Sequence, residues 1–426
     1  MNNNLKTSPP DWQKEIYLNG FSGFKPKVNI DFNNLEETAR RIMSPEAFAY
    51  IAGGAGNEAT MASNRKAFEK YKIVPRMLRN MSERDIGLKL FGRTLPAPIL
   101  LAPVGVLEMV NKEGDRAVGK AAAELGLPYI FSNQASKPME DVASGMGNSP
   151  RWFQLYWSKS NELVASFVQR AEKCGCEAIV VTLDTTMLGW RTRDLDIAYL
   201  PFLEGRGIAQ YTSDPVFQNL MDEPDADPPA KRKITFHTLS GVIQMVKNYP
   251  GSGFFSKLKS GRPIKAVQKF TSIYSNPAIT WDDLKFLRQH TKLPVLLKGI
   301  LHADDAKKAV DYGMDGIIVS NHGGRQVDGS IGTFEALPKI AQCIGGKIPI
   351  LLDSGIRGGA DIFKALALGA TAVCLGRPYV YGLAIAGQEG VKAVLQNFLA
   401  DFELTMGLAG CKELSDITPD SLAHIE

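Results

Sequence analysis

Eight short apolar runs, each trailed by an amphipathic stretch, predict an α/β fold: a TIM-type (β/α)8 barrel with an N-terminal helical arm and a long insertion after the fourth strand. Three observations carry this. The runs are rich in Val, Ile and Leu over four or five residues, as in strands buried on both faces of a parallel sheet. Helical stretches lie between them, so each connection is a right-handed crossover. There are eight such repeats, the number that closes the sheet into a barrel instead of leaving it open.

In chain order, residues 1–35 are the arm. They are polar, with Pro9-Pro10 and scattered aromatics (Trp12, Tyr17, Phe21, Phe24), and suit a segment lying on the surface or on a neighbouring subunit. From Asn34 the apolar positions Leu35, Ala39 and Ile42 fall at helical spacing, and Ser44-Pro45-Glu46 starts a second helix by a capping side chain followed by proline. That helix carries Tyr50 just ahead of Gly53, Gly54 and Gly56. The strands follow at 98–102, 128–131, 152–156, 178–182, 294–298, 316–320, 349–353 and 371–375, with amphipathic stretches at 112–125, 161–173, 303–312 and 360–368. One joint breaks the rhythm. Residues 184–279 read as a long loop or lid inserted into a single domain over 36–426, with an acidic run at 222–227 and a basic run at 231–233 as solvated faces.

Bulk properties narrow the function classes. Hydrophobic residues make up 44% and charged residues 22% of the 426, enough for a large core. The net charge of +4 is spread along the chain and leaves no nucleic-acid footprint. Five cysteines fall at no zinc or disulfide spacing, so reduced structural thiols and no metal site are expected. The first residues lack the apolar core of a signal peptide and no apolar run reaches membrane-spanning length, which predicts a cytoplasmic protein with no membrane partner.

In such a barrel the reactive groups gather at the C-terminal ends of the strands. The polar residues there are Ser132 after the second strand, Gln154 and Tyr156 in the third, and Thr182 and Asp184 after the fourth. Lys298 ends the fifth, and Ser320, His322 and Arg325 follow the sixth; Asp353, Gly355 and Arg357 follow the seventh, Gly376 and Arg377 the eighth. Ser320-Asn321-His322-Gly323-Gly324-Arg325-Gln326 sets an imidazole and a guanidinium on either side of two glycines, which suits a base facing a carboxylate anchor. Gly355, Gly358, Gly359 and Gly376-Arg377 can present N–H groups and a cationic fork to a phosphate. Lys298 emerges from an apolar strand and needs an anionic or electron-rich partner. On residues alone, a Schiff base and the stabilisation of a reduced cofactor ring both stay open.

Together these motifs resemble those of the FMN-dependent L-2-hydroxyacid oxidases and dehydrogenases over roughly residues 35–410. The most specific parts are the 320–326 segment and Asp353-Ser354-Gly355-Ile356-Arg357-Gly358-Gly359. Thr182-Leu183-Asp184-Thr185, Gly189-Trp190-Arg191 and Thr212-Ser213-Asp214-Pro215-Val216-Phe217 are most similar to the lactate 2-monooxygenase branch. The resemblance implies FMN as cofactor, a small 2-hydroxyacid and O2 as partners, and a homotetramer or larger homo-oligomer. It makes His322 the base, with Asp184 on its imidazole, and Tyr156 the partner of the substrate oxygen. Arg325, Arg191 and Tyr50 would grip the carboxylate, with Gln134 and Leu188 bordering the substrate side chain. Lys298 would stabilise the reduced ring, and Ser132, Gln154, Thr182 and the backbone of Pro103, Val104 and Gly105 would meet the isoalloxazine. Asp353 would hold the ribityl chain, Arg357, Gly376 and Arg377 the phosphate, with Ser320 and Gly355 also against the cofactor. Gly105, where many relatives carry Ala, would leave room for oxygen, which implies an oxidase rather than a quinone- or cytochrome-coupled dehydrogenase. The resemblance to the monooxygenase branch, with a lid that delays product release, implies that L-lactate yields acetate, carbon dioxide and water, the alternative being the 2-oxoacid and hydrogen peroxide. An FMN-dependent isomerase and a catalytically dead flavin-binding protein compete less well, because base, anchor and lysine are all present.

Overall fold

The structure is a computed structural model describing residues 9–223 and 235–425. Its eight barrel strands are Ile99–Leu101, Tyr129–Phe131, Arg151–Leu155, Ile179–Thr182, Val295–Ile300, Gly316–Val319, Ile350–Leu352 and Ala372–Leu375. Each falls on one of the eight expected runs. They pair in parallel and in sequence order, and the eighth returns to the first, with Cys374 opposite Leu100, closing the barrel. Strand alternation sorts their side chains. Leu100, Ile130, Trp152, Val180, Leu296, Ile318, Leu351 and Cys374 fill the interior, while Ile99, Leu101, Ile179, Val181, Leu297, Ile317 and Val319 join the larger cluster under the helices.

A hairpin absent from the sequence reading decides which end is open. Leu88–Leu90 pairs with Arg93–Leu95, and Leu90 and Leu95 pack onto the interior cluster. Phe91 at its turn lies 5.7 Å from the ring of Trp152, near the start of the third strand. The N-terminal end of the barrel is therefore stopped with apolar side chains, and polar chemistry is confined to the other end.

Helix Phe32–Ile42 starts at Asp31, whose carboxylate accepts the N–H of Asn34 at 2.9 Å. Leu35 and Ala39 are buried, as their spacing predicts, but Ile42 is 54% exposed and Met43 takes the inward place. Met43 follows the last helical residue in an extended conformation, ψ 151°, so the helical period no longer sets its direction. The next helix, Pro45–Ala52, is capped by Ser44, whose hydroxyl accepts from Ala47, and it delivers Tyr50 to the barrel mouth. The arm forms helix Pro9–Phe21 against the final helix, Arg377–Leu408, where Trp12 donates to Asn397 at 2.8 Å.

Residues 184–279, expected as a long loop or lid, carry helices of their own. Helical segments run at Thr192–Asp196, Pro201–Glu204, Ala209–Thr212, Pro215–Leu220, Phe236–Asn248, Phe254–Ser260 and Arg262–Ile273. Buried polar anchors bind this segment to the barrel. Gln210 is fully buried, accepts from the N–H of Met139 at 3.0 Å and donates to the carbonyl of Ser132 at 3.4 Å. Asp214 is equally buried and pairs with Arg170 at 2.9 Å. Phe202, Tyr211, Phe217, Phe270 and Tyr274 pack ring against ring over these anchors. Residues 1–8, the acidic residues 225–227 and the basic run 231–233 lie outside the described residues. Among the described residues no helix is long and apolar enough to cross a membrane.

Candidate active site

One cleft opens at the C-terminal end of the strands and gathers most of the residues singled out above. Tyr50, Pro103, Val104, Gly105, Ser132, Gln134, Gln154, Tyr156, Leu188, Arg191, Lys298, His322, Arg325, Asp353, Gly355, Arg357, Gly376 and Arg377 line it. Three expected residues do not line it. Asp184, Thr182 and Ser320 stand one layer behind, bonded to His322, Gln154 and Lys298 respectively. Phe202, Tyr274 and Thr185 line the cleft without having been expected. Phe202 and Tyr274 come from the insertion: Phe202 stands in Pro201-Phe202-Leu203, a motif that also carries the resemblance but was given no place in the site, and Tyr274 stands in no motif. Thr185 directly follows Asp184, its adjacency being the available signal.

His322 sits in a left-handed backbone conformation, φ +57°. Its N–H donates to Ser320 Oγ at 3.1 Å, and its Nδ1 lies 2.8 Å from Asp184 Oδ1. Thr185 Oγ1 donates to the same carboxylate oxygen at 2.9 Å and lies 3.1 Å from Nδ1. A carboxylate at Nδ1 keeps the proton there, which leaves the Nε2 lone pair as the basic site. Burial, with the nearby charges of Lys298 and Arg191, pushes the imidazole below its ordinary value despite Asp184. Burial alone would raise Asp184, but Lys298 and His322 hold it well below the usual carboxylate range. Lys298 donates to Ser320 at 2.8 Å and lies 3.4 Å from Asp353 and 3.7 Å from Asp184. Burial favours the neutral amine, yet these two carboxylates hold Lys298 above its ordinary value.

Opposite the imidazole stand two guanidiniums. Arg325 donates to the carbonyls of Tyr50 and Gly53 and lies 5.0 Å over the Tyr50 ring. Arg191 donates to Gln326 at 3.2 Å. Neither forms an ion pair with a carboxylate among the described residues, and burial together with Arg191 pushes Arg325 down to about 9. Two like charges held side by side favour an anion between them. Burial raises the Tyr156 phenol to about 12, so it remains a proton donor at neutral pH.

The remaining lining suits a planar heteroaromatic ring with a phosphate tail. Ser132 donates to Gln154 at 3.2 Å and Gln154 to Thr182 at 3.0 Å, a polar chain able to meet ring nitrogens and carbonyls. A methyl group added at Gly376 would meet only Val104, at 3.9 Å, so the start of helix Arg377–Leu408 offers an open cradle for an anion. Gly105 lies against the turn at Gln134. A methyl group there would lie 3.0 Å from the carbonyl oxygen of Gln134, which accepts the N–H of Val106 at 2.9 Å. A side chain at Gly105 would therefore press on the Gln134 backbone.

A family model described as FMN-dependent dehydrogenase matches residues 39–424. An FMN-dependent alpha-hydroxy acid dehydrogenase of Penicillium citrinum is 41% identical over 415 residues, covering 97% of this chain and 96% of that protein. An L-lactate oxidase of Lysinibacillus sphaericus is 42% identical over 388 residues, covering 91% of each. Among solved structures, mandelate oxidase with (S)-4-hydroxymandelic acid aligns with a TM-score of 0.75 at 36% identity, over 93% of this chain and 98% of that one.

Proposed function

From the premise that the chain belongs to the FMN-dependent dehydrogenase family and carries out FMN-dependent oxidation of a 2-hydroxyacid, we propose that its substrate is L-lactate and its acceptor O2. In this reading it is a lactate 2-monooxygenase yielding acetate, carbon dioxide and water. The observation that carries the small substrate is the aromatic wall of the insertion. Phe202 is 3% exposed and meets the Tyr50 ring edge-on at 6.4 Å, so the space beside the arginine pair is closed by a packed ring.

FMN, when bound, takes two electrons from the hydroxyl carbon. The chain's own residues do the rest. Arg325 and Arg191 orient the carboxylate, and Tyr50 completes the grip. The hydroxyl is thereby turned toward His322, whose Nε2 takes its proton while Asp184 stabilises the imidazolium. Tyr156 donates to the substrate oxygen. Lys298 holds positive charge where the cofactor's ring gains negative charge, and Ser320 and Asp353 keep the ammonium in place. Gly376, Arg357 and Arg377 hold the phosphate and Asp353 the ribityl chain. Ser132, Gln154 and the backbone from Pro103 to Gly105 meet the ring, with Thr182 supporting Gln154. Phe202 and Tyr274 exclude water and slow the departure of the 2-oxoacid, the requirement for its decarboxylation in place. A single domain over 36–426 in a cytoplasmic homo-oligomer is part of the same reading.

The second reading, release of pyruvate and hydrogen peroxide, is favoured by the name of the Lysinibacillus sphaericus relative, an L-lactate oxidase. One experiment separates them: anaerobic reduction of the yellow protein by L-lactate, then product analysis on admitting air. Acetate with little peroxide supports the monooxygenase, pyruvate with one equivalent of peroxide the simple oxidase, and no bleaching by L-lactate overturns the substrate.

A further inference from the structure

We propose that Phe32, in the segment that precedes the barrel, is the positioning residue that holds the Arg357 guanidinium for the phosphate of FMN. The inference rests on reading the Arg357 end of the cleft as the phosphate site. Phe32 lies before residue 39, where the match to the family model begins, so the family pattern assigns it no role.

The two arginines at this end are employed differently. Arg377 spends its donors on three carbonyls, those of Ile51 at 3.0 Å and of Gly53 and Gly323 at 2.9 Å each. It ties the Tyr50 helix to the turn after His322. The backbone N–H of Arg357 donates to Asp361 at 2.8 Å, but among the hydrogen bonds of the described residues its guanidinium donates only to the carbonyl of its neighbour Ile356, at 3.1 Å, and it forms no ion pair there. What holds it is a ring: its central carbon lies over Phe32, 3.9 Å from the centroid. A guanidinium resting on an aromatic face keeps its N–H groups, which lie in its own plane, for another partner.

Phe32 is a fixed platform. It opens the helix capped by Asp31, and its ring lies 5.9 Å from that of Tyr381, whose hydroxyl donates to Glu36 at 3.1 Å. A second cleft, lined by Phe32, Asp31, Gly355, Arg357 and Arg377, adjoins the first at these residues and puts Phe32 at the border of the phosphate end. The ring thus stands where it can preset an otherwise mobile cation before the anion arrives.

The test is flavin affinity, measured by quenching of flavin fluorescence on titrating the full chain freed of its cofactor. FMN and riboflavin, which lacks the phosphate, are the two probes. The Phe32→Leu change should weaken FMN by about two- to thirty-fold, the range spanned by a single cation–ring contact, and leave riboflavin unaltered. Phe32→Tyr, which keeps the ring, should retain wild-type FMN affinity and serves if the leucine variant misfolds. Equal losses for both flavins, or no loss in Phe32→Leu, would overturn the proposal. Arg357→Gln separates it from its premise: unchanged FMN affinity there removes the phosphate reading itself, whereas a loss there with none in Phe32→Leu removes only the role of Phe32.

Discussion

The backbone at His322 is held at φ +57°, a conformation that costs a residue with a side chain roughly 1–3 kcal/mol, and what the strain achieves is aim. It turns the imidazole onto Asp184 and leaves Nε2 facing the cleft. Replacing His322 with Ala should leave FMN bound while anaerobic reduction by substrate slows by about 10²- to 10⁴-fold, the usual share of a positioned base. The pH dependence follows from direction. In the proposed mechanism the neutral imidazole is the active form, and its value is depressed below the ordinary ~6.5. The reduction rate should therefore hold from neutral pH down to that ordinary value and fall only below it. Stability has the same sign: the unfolded chain binds this proton first as pH falls, so His322 subtracts stability on the acid side. Asp184, held low, contributes stability that is complete above about pH 3.9 and is lost as pH falls through its folded value. These two residues were legible because each follows an apolar strand in a short polar motif. Thr185 was passed over because its hydroxyl acts on the neighbouring carboxylate, a contact that only the folded turn reveals.

At the scale of elements, the strands read clearly because burial on both faces leaves unbroken apolar runs, a pattern that survives without any partner being known. The insertion did not read, since its helices are as short as four residues and draw their order from ring packing and from Gln210 and Asp214, which sit far in sequence from what they bond. The Leu88–Leu95 hairpin escaped for a similar reason: each of its strands is three residues long. Leu90 and Leu95 are both buried against the barrel interior. Leu90→Ala should cost about 2–5 kcal/mol, visible as a lower midpoint in chemical denaturation with the flavin spectrum of the folded enzyme unchanged. On the opposite side, Phe202→Ala removes the packed ring beside the arginine pair. Its kcat/KM for mandelate relative to L-lactate should rise by about 10- to 200-fold, the discrimination available to an apolar pocket wall. An unchanged ratio would mean that the wall does not set substrate size.

For the molecule as a whole, the count of eight repeats was enough to close the barrel on paper, and the parallel return of the eighth strand to the first closes it in space. Nothing in a count says which end is blocked. The hairpin under Trp152 does, and the result is a vessel with a floor. The cleft lies at the other end, with Phe202 and Tyr274 in its lining. In the proposed reading such a vessel works as a stack, with the large ligand seated first and the small one coming and going above it. On that reading a departing 2-oxoacid and an incoming 2-hydroxyacid would contend for the same space, and added 2-oxoacid should slow turnover competitively in initial-rate assays.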